Sequence, residues 1–447
     1  MNVFSNPHTA PMPLSEIPFP ARQGSSALFA SSSSALQVDI AVIGASVAGL
    51  FTAQALAKLG YRCALIGPEP VYARHQVGFD QRIFALSPAS WAWMQDQGLS
   101  AAIQSQRLGL INRMHIHAPP LGSVEPIVFD AYRAALEQLA LTVEQSELIA
   151  AGQQAVAMAG VLRLQESLVG IDPPVLGARA ASGLQSALQA GQTRRITLEH
   201  GKTLEARLLV GCDGAHSGLR KLAGITSRRF DYKASAVVAN FACGSQHRHS
   251  AYQWFTDQGI LALLPLPGQA LSMVWSAPQP IADRLMSLGG ESLRRHVQAF
   301  LESLGSDAPV LVSCLNQPAS FPLIESLSDS PTAQRLLLLA DAAHVVHPMA
   351  GQGLNLGIGD MIELTDVLSR PASRHDPGQA PCLERYVRRR AEPVAALSLL
   401  TRRLYQWFEQ RPTPLLAAIG AWGWSRVAGS SLIQSALIRQ AVRHGPN

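Results

Sequence analysis

Two glycine-rich stretches and a few acids carry the residue types that could do chemistry in this 447-residue chain. The first stretch is GASVAG, residues 44–49. It lies between an apolar run, Val38 to Ile43, and a helically spaced segment, Ala48 to Leu59, that stops at Gly60. The spacing of Gly44, Ser46 and Gly49 is that of the dinucleotide fingerprint, with serine at the middle glycine. Small residues there permit a tight turn, close approach of a pyrophosphate to the backbone, and packing of helix on strand. The anion would rest on the free N–H groups of the helix start. A second strand, Arg62 to Ile66, completes a βαβ unit. Gly67 stands where the fingerprint places an acid for a ribose hydroxyl, with Glu69 two residues late. The alternative is a tight strand–helix turn that binds nothing.

The second stretch is LADAAHVVHPMAGQGLNLGIGD, residues 339–360. An aliphatic run reads as a buried strand ending at Asp341, and Leu354 to Leu368 reads as a helix. An acid at a strand's carboxyl end faces the ligand crevice of an open α/β sheet and can accept hydrogen bonds from polyol hydroxyls. The helix start after Pro348 and the Gly351-Gln352-Gly353 turn favours negative charge. Two such helix starts suit one long ligand, with a pyrophosphate at the first and an electron-rich ring at the second. A reduced flavin fits, because its N1–C2=O edge carries negative charge. His344 and His347 are three residues apart, just before a proline and with no third ligand nearby. They read as packing or supporting residues, and no metal is expected.

These residues need a large framework to position them. Hydrophobic residues make up 47% of the chain and charged residues 15%, so it folds, and its length calls for two or three units. A net charge of +5 with dispersed arginines makes no case for nucleic acid. The five cysteines show no CxxC and no metal spacing, which points to buried thiols in a reducing compartment. No apolar run is long enough to span a bilayer. Residues 1–37, rich in Ser, Ala and Pro, read as a disordered leader, with a targeting peptide as the alternative.

Residues 80–98 read as a polar entry, a turn at Ser87-Pro88 and a short helix. Residues 113–139 are atypical, and 161–193 look like a loose insertion. RRITLEHGKTLEARLLVGCDG reads as two strands joined at His200-Gly201. Alternation from Val237 to Ser276 predicts a mostly antiparallel sheet, with Tyr252 and Trp254 on one face and Phe255 on the other. Residues 370–381 read as a linker, and 382–447 as helices.

HPMAGQGLNLGIGD, 347–360, resembles the signature H-P-x-A-G-Q-G-x-N-x-G-x-x-D of the ubiquinone-biosynthesis hydroxylases. These belong to the FAD-dependent aromatic monooxygenases similar to para-hydroxybenzoate hydroxylase. CDGAHSGLR, 212–220, resembles that family's D-G-x-x-S-x-x-R motif, associated with FAD and NAD(P)H, and DQRIFALS, 80–87, its D-x-R-x-x-A-L-S segment. The strands around AYQWFTDQGILALLPLP and the C-terminal ERYVRRR also fit, and the resemblance covers roughly 38–440.

The resemblance implies an α/β fold: a Rossmann-like FAD domain interleaved with a mostly antiparallel β-sheet substrate domain and a C-terminal helical segment. The FAD domain would comprise 38–112, 140–228 and 331–369, and the substrate domain 229–330. The resemblance also implies FAD held by Gly44, Ser46, Gly49, Arg82, Asp213, Asp341, Pro348, Gly351, Gln352, Gly353, Leu354 and Asn355. NAD(P)H would be a transient electron donor. O₂ would be activated as a flavin C4a-hydroperoxide that hydroxylates a phenol, a polyprenylated one if the substrate is a ubiquinone precursor. The flavin carries the hard chemistry, so no catalytic side chain is assigned. Tyr252 and Trp254 are candidates for the ring's surroundings, with ordinary core packing as the alternative.

The chain departs from the family pattern at Ser46, Gly67, Val128-Phe129 and Ala340. Two other readings therefore stand beside the first: a hydroxylase of a soluble phenol, and a flavin-poor scaffold of a biosynthetic complex. Residues 399–445 combine Trp, Leu, Ile and Arg without spanning length. They suit a peripheral membrane contact, with intramolecular packing or a homo-oligomer contact as alternatives. The expected location is the cytoplasm, at or near the inner face of the membrane, or the mitochondrial matrix in a eukaryote.

Overall fold

The computed structural model describes residues 36–70, 78–118, 125–172, 193–305, 307–347, 351–409, 424–430 and 434. The leader, most of the loose insertion, Pro348 and most of 410–447 lie outside the described residues.

Among the described residues, eight strands form the first sheet. Its centre is parallel, in the order Leu336–Leu338, Thr203–Gly211, Leu36–Ile43, Cys63–Ile66 and Leu162–Leu164. The near-continuous apolar runs follow from burial on both faces. Ile40 and Val42 meet a layer of helices that includes Val47–Lys58, Gln145–Met158 and Gln352–Ser369. Ala41 and Ile43 point the other way, into a core shared with Arg194–Leu198 and Thr203–Gly211. The hairpin at His200-Gly201 forms as expected, with Gly201 at φ +78°. The insertion is ordered at its start, where Leu162–Leu164 and Leu168–Ile171 are strands.

The second sheet has nine strands and is mostly antiparallel. Ser227–Cys243, Ala270–Pro278, Gly259–Leu266 and Ser250–Thr256 are consecutive neighbours in it. The atypical segment 113–139 supplies the next two strands, Arg113–His117 and Ile127–Asp130. The antiparallel sheet therefore draws its edge from a part of the chain that precedes 229–330. The chain enters it alongside Ser250–Thr256 in parallel, a pairing that local periodicity cannot reveal.

A small sheet of Ile83–Leu86, Ala140–Glu144 and Gly109–Ile111 joins the two large ones. Thr142 Oγ1 donates to the Pro265 carbonyl at 2.6 Å, and Asn240 Nδ2 donates to the Asp80 carbonyl at 2.7 Å. Asp80 in turn accepts from the Ser146 N–H at 2.6 Å, at the start of Gln145–Met158.

Residues 370–381 are not a free linker. Pro371–His375 is a short helix, and Asp376 forms a two-pronged ion pair with Arg335, with 2.7 Å on each side. Both side chains are about 10% exposed. Burial alone would raise the Asp376 carboxyl, but Arg335 overrides it and the carboxyl is lowered from 3.8. A helix of 30 residues, Ala380–Glu409, follows, with Pro393 inside it. Among the described residues no helix is long and apolar enough to cross a membrane.

Asp376→Ala removes both prongs and should cost on the order of 2–3 kcal/mol, below the ~3–5 of fully buried pairs. Urea denaturation at neutral pH measures it. A depressed carboxyl stabilises above its unfolded pKa and loses that contribution as pH falls through the folded value. The gap between the two proteins should therefore narrow below 3.8. An unchanged midpoint would contradict this tether.

Candidate cofactor and substrate site

The site begins where the parallel strands end. Gly44, at φ +106°, closes the first strand, and a Cβ there would lie 2.4 Å from the Cys212 carbonyl oxygen. A Cβ on Gly49 would sit 1.6 Å from the Gly44 carbonyl oxygen. Both glycines are therefore required by contact of backbone on backbone, as the fingerprint reading supposed. Ser46 is the N-cap of Val47–Lys58, yet its exposed hydroxyl makes no capping bond. The first turn of that helix also contains no acid. Gly67 continues the sheet by donating to the Leu164 carbonyl at 3.0 Å. Glu69 is bound to Arg163, Gln153 and Gln165, so it is committed away from a ribose.

On the neighbouring strand end, Asp213 Oδ2 accepts from the Leu219 N–H at 3.0 Å, while Oδ1 is buried with no hydrogen-bond partner among the described residues. A buried carboxylate oxygen without a partner is costly and calls for a donor. Arg220 of the same motif is 7% exposed and donates to the Ala342 carbonyl at 2.7 Å and the Ala215 carbonyl at 2.8 Å. It clips the CDGAHSGLR loop to the turn that carries Asp341.

That turn corrects one expectation. The third strand ends at Leu338, and Asp341 sits in a 3₁₀ turn, Ala340–Ala342. The reversal needs a left-handed residue, and Ala340 supplies it at φ +51°. Asp341 is solvent-accessible, yet burial raises its carboxyl above the ordinary value against the pull of His344 and Arg82. Accessible surface with protein dense around it marks the wall of a cleft. Arg82 lies over Phe321 at 5.1 Å and Phe84 at 5.9 Å.

The turn is held from behind by Asp360, which is fully buried. Its Oδ2 accepts from the Ala340 N–H at 2.9 Å and from His344 Nε2 at 2.7 Å. Its Oδ1 accepts from Arg390 Nε at 2.6 Å. Burial alone would raise this carboxyl, but His344, Arg390 and the hydrogen bonds lower it to about 2. His344 is thus a supporting residue, as expected. His347 is buried between Tyr232 and Tyr405, with ring centroids at 4.7 and 5.0 Å, and burial lowers it to about 4.

Gly351, at φ +66°, opens the helix Gln352–Ser369, which has no side-chain cap. Among the described residues, a Cβ on Gly353 would meet nothing within 4 Å. Packing of those residues does not demand glycine there, and the space it leaves fits a group that approaches the backbone. Gln352 follows the cap, and Leu354 packs on the helical core. The side chain of Asn355 is committed elsewhere. It accepts from the Ser87 N–H at 2.9 Å and donates to the Ala85 carbonyl at 2.8 Å, clamping this helix to Ile83–Leu86. Its role is therefore positioning.

Tyr252 and Trp254 lie under the outer helices Gln279–Ser287 and Gly290–Ser303, in the core with Leu285 and Val297. Phe255 lies on the opposite face, as alternation required. The two candidates for the ring's surroundings therefore face away from the cleft, and the packing alternative describes them. On the cleft side, cross-strand partners form a row: Ala319, Val238, Val274, Ala262, Gln253 and Ile116. Neighbouring rows on that face meet Ala85 on one side and Tyr405, Trp407 and Trp424 on the other.

The orphaned Asp213 oxygen, the uncapped helix starts and the open space at Gly353 fit one extended anionic cofactor along the strand ends. A family model described as an FAD binding domain matches residues 37–399. The chain belongs to this FAD binding domain family. It is 29% identical over 357 residues to the 3-demethoxyubiquinol 3-hydroxylase of Escherichia coli, covering 79% of this chain and 85% of that protein. It is 28% identical over 397 residues to the mouse mitochondrial ubiquinone biosynthesis monooxygenase COQ6, covering 80% and 79%. The p-nitrophenol 4-monooxygenase PnpA of Pseudomonas putida shares the fold, with a TM-score of 0.68, 17% identity, and coverage of 92% of this chain and 99% of that one.

The network behind the turn was missing from the sequence reading. Asp360 ends the recognised motif and Arg390 belongs to ERYVRRR, and the signal was a charged residue in each of two apolar helical faces.

Ala340→Gly should stabilise the folded protein. A left-handed alanine costs about 1–2 kcal/mol, and the extra chain entropy of glycine returns roughly 0.5–1. The net gain is about 0.5–1 kcal/mol, read as a higher thermal midpoint. A lower midpoint would show that the alanine methyl contributes more by packing than its backbone strain costs.

Proposed function

We propose that the chain is an FAD-dependent monooxygenase that hydroxylates a polyprenylated phenol on the route to ubiquinone, with NAD(P)H as the transient electron donor. The observation that carries the substrate class is the cleft face of the antiparallel sheet. Its row from Ala319 to Ile116 is apolar except for Gln253. It leads toward partly buried Leu404, Trp407 and Trp424. A flat apolar wall beside the flavin end of the site suits an aromatic ring, and the aromatic-lined continuation suits an isoprenoid tail. The names of the relatives support the same class.

In this reading Asp341 accepts hydrogen bonds from the ribityl hydroxyls, and Asp213 Oδ1 takes a donor from the cofactor's polar chain. Ser46 and the start of Val47–Lys58 receive the pyrophosphate. The N–H groups at Gln352 and Gly353 face the isoalloxazine edge and favour its anionic, reduced form. Arg82 closes the cleft beside Asp341, over Phe321. The chemistry that bound FAD supplies is use of a nicotinamide hydride and O₂ to place one oxygen atom on the ring, the other leaving as water. The sheet's part is to hold the ring and exclude water. Exposed Leu399 and Leu400 on the last long helix support a peripheral approach to the membrane that stores such a substrate. In this reading the protein works at the inner face of a bacterial membrane, or in the mitochondrial matrix if the cell is a eukaryote.

Asp341→Ala removes a charged acceptor worth about 1.5–3 kcal/mol, so FAD affinity should fall roughly ten- to more than hundredfold. Fluorescence quenching on FAD titration measures it, with circular dichroism as the folding check. Unchanged affinity would remove Asp341 from the cofactor site.

The substrate class is tested by quinone-intermediate analysis in a strain lacking the gene. The strain should accumulate a prenylated phenol one oxygen short of the next intermediate. The wild-type gene should clear it and the Asp341→Ala gene should not. A normal quinone profile in the deletion strain would overturn this substrate assignment.

A further inference from the structure

On the far side of the antiparallel sheet, away from the glycine motifs, three ligand-type side chains converge. His115 and His117 alternate on the edge-proximal strand Arg113–His117 and so project from one face. Their rings are fixed by stacking, His115 on Tyr252 at 5.0 Å and His117 on Trp254 at 5.4 Å. Asp307 comes from the turn between Gly290–Ser303 and Leu311–Cys314. Its two oxygens stand 3.7 Å from His115 Nδ1 and 3.9 Å from His117 Nε2. These separations are too long for hydrogen bonds. All the donor atoms lie within 4.8 Å of one another. His117 Nε2 is buried and has no hydrogen-bond partner among the described residues.

We propose that His115, His117 and Asp307 bind one divalent cation of the zinc kind, with water completing the shell. Two ligands at ~2.0–2.2 Å from a tetrahedral ion lie about 3.3 Å apart, so the ion would draw Asp307 about half an ångström nearer the imidazoles, with the two rings turning to match. Two imidazoles and one carboxylate suit zinc, cobalt or nickel, and do not suit calcium or magnesium, which take oxygen ligands. The other face of the same strand presents Met114 toward Ala85 and Ile116 toward the cleft. The cation would therefore fasten the turn at Asp307 to the strand that edges the substrate cleft. It would take no part in electron transfer.

The test is zinc titration of the chelator-treated, full-length, FAD-loaded protein against a chromophoric zinc indicator, with cobalt absorption as a geometry probe. The expected result is one zinc per chain, tetrahedral cobalt bands and a zinc-dependent rise in thermal midpoint. His117→Gln should abolish uptake. Asp307→Asn, on an exposed turn where folding is not at stake, should weaken it by at least about tenfold. Flavin content and circular dichroism confirm that each variant is folded. No uptake at micromolar zinc, or equal uptake by wild type and Asp307→Asn, would overturn the proposal.

Discussion

Asp360 is the charge on which the second glycine motif depends. A carboxylate removed from water survives only with partners, and this one has three in different parts of the chain: the Ala340 N–H, His344 and Arg390. They join the end of the parallel sheet, the approach to the glycine turn and the last long helix. Arg220 holds the same turn from the other side through the Ala342 carbonyl. With both clips in place, Ala340 is kept left-handed and Asp341 is directed outward. In the proposed reading few residues touch the cofactor, and most of the surrounding motif residues aim them.

The same division runs through the rest of the site. Asp80 caps the helix Gln145–Met158 and its carbonyl accepts from Asn240, linking the recognised DQRIFALS segment to that helix and to the antiparallel sheet. Asn355 spends its amide on Ala85 and Ser87. These bonds tie the helix Gln145–Met158, the helix Gln352–Ser369 and the small sheet to one another and to the antiparallel sheet. In the proposed reading the ring lies between the two large sheets, which suits a reaction that must keep water out.

Much of this was legible from residues. The glycine spacing at 44–49 was readable because a Cβ at either end would collide with backbone, and few other residues satisfy that constraint. The apolar runs of the parallel sheet and the alternation of Tyr252, Trp254 and Phe255 were readable for the same local reason. Which face of the antiparallel sheet is covered by helices was not, because alternation assigns two faces without naming their neighbours. The strand Arg113–His117 was missed because its partner is 137 residues away in the register Arg113↔Ser250. The Asp341 turn is not legible in the sequence because a left-handed alanine leaves no mark in composition. The ordered segment at 376 is not legible because Arg335, which anchors it, is distant in sequence.

The departures from the family pattern are each accommodated. Ser46 leaves its hydroxyl free at a helix start, and Gly67 extends the sheet. Ala340 holds the turn at a cost in strain, and Val128-Phe129 lies in an edge strand of the substrate sheet. FAD held at these strand ends is the premise of the proposed function. It is tested most directly by the visible absorbance of the purified full-length protein, with the released cofactor identified after denaturation. The expected result is an oxidised-flavin spectrum and FAD approaching one per chain, present on isolation or restored by added FAD. A folded, colourless protein that takes up no FAD would contradict the account and favour the scaffold reading.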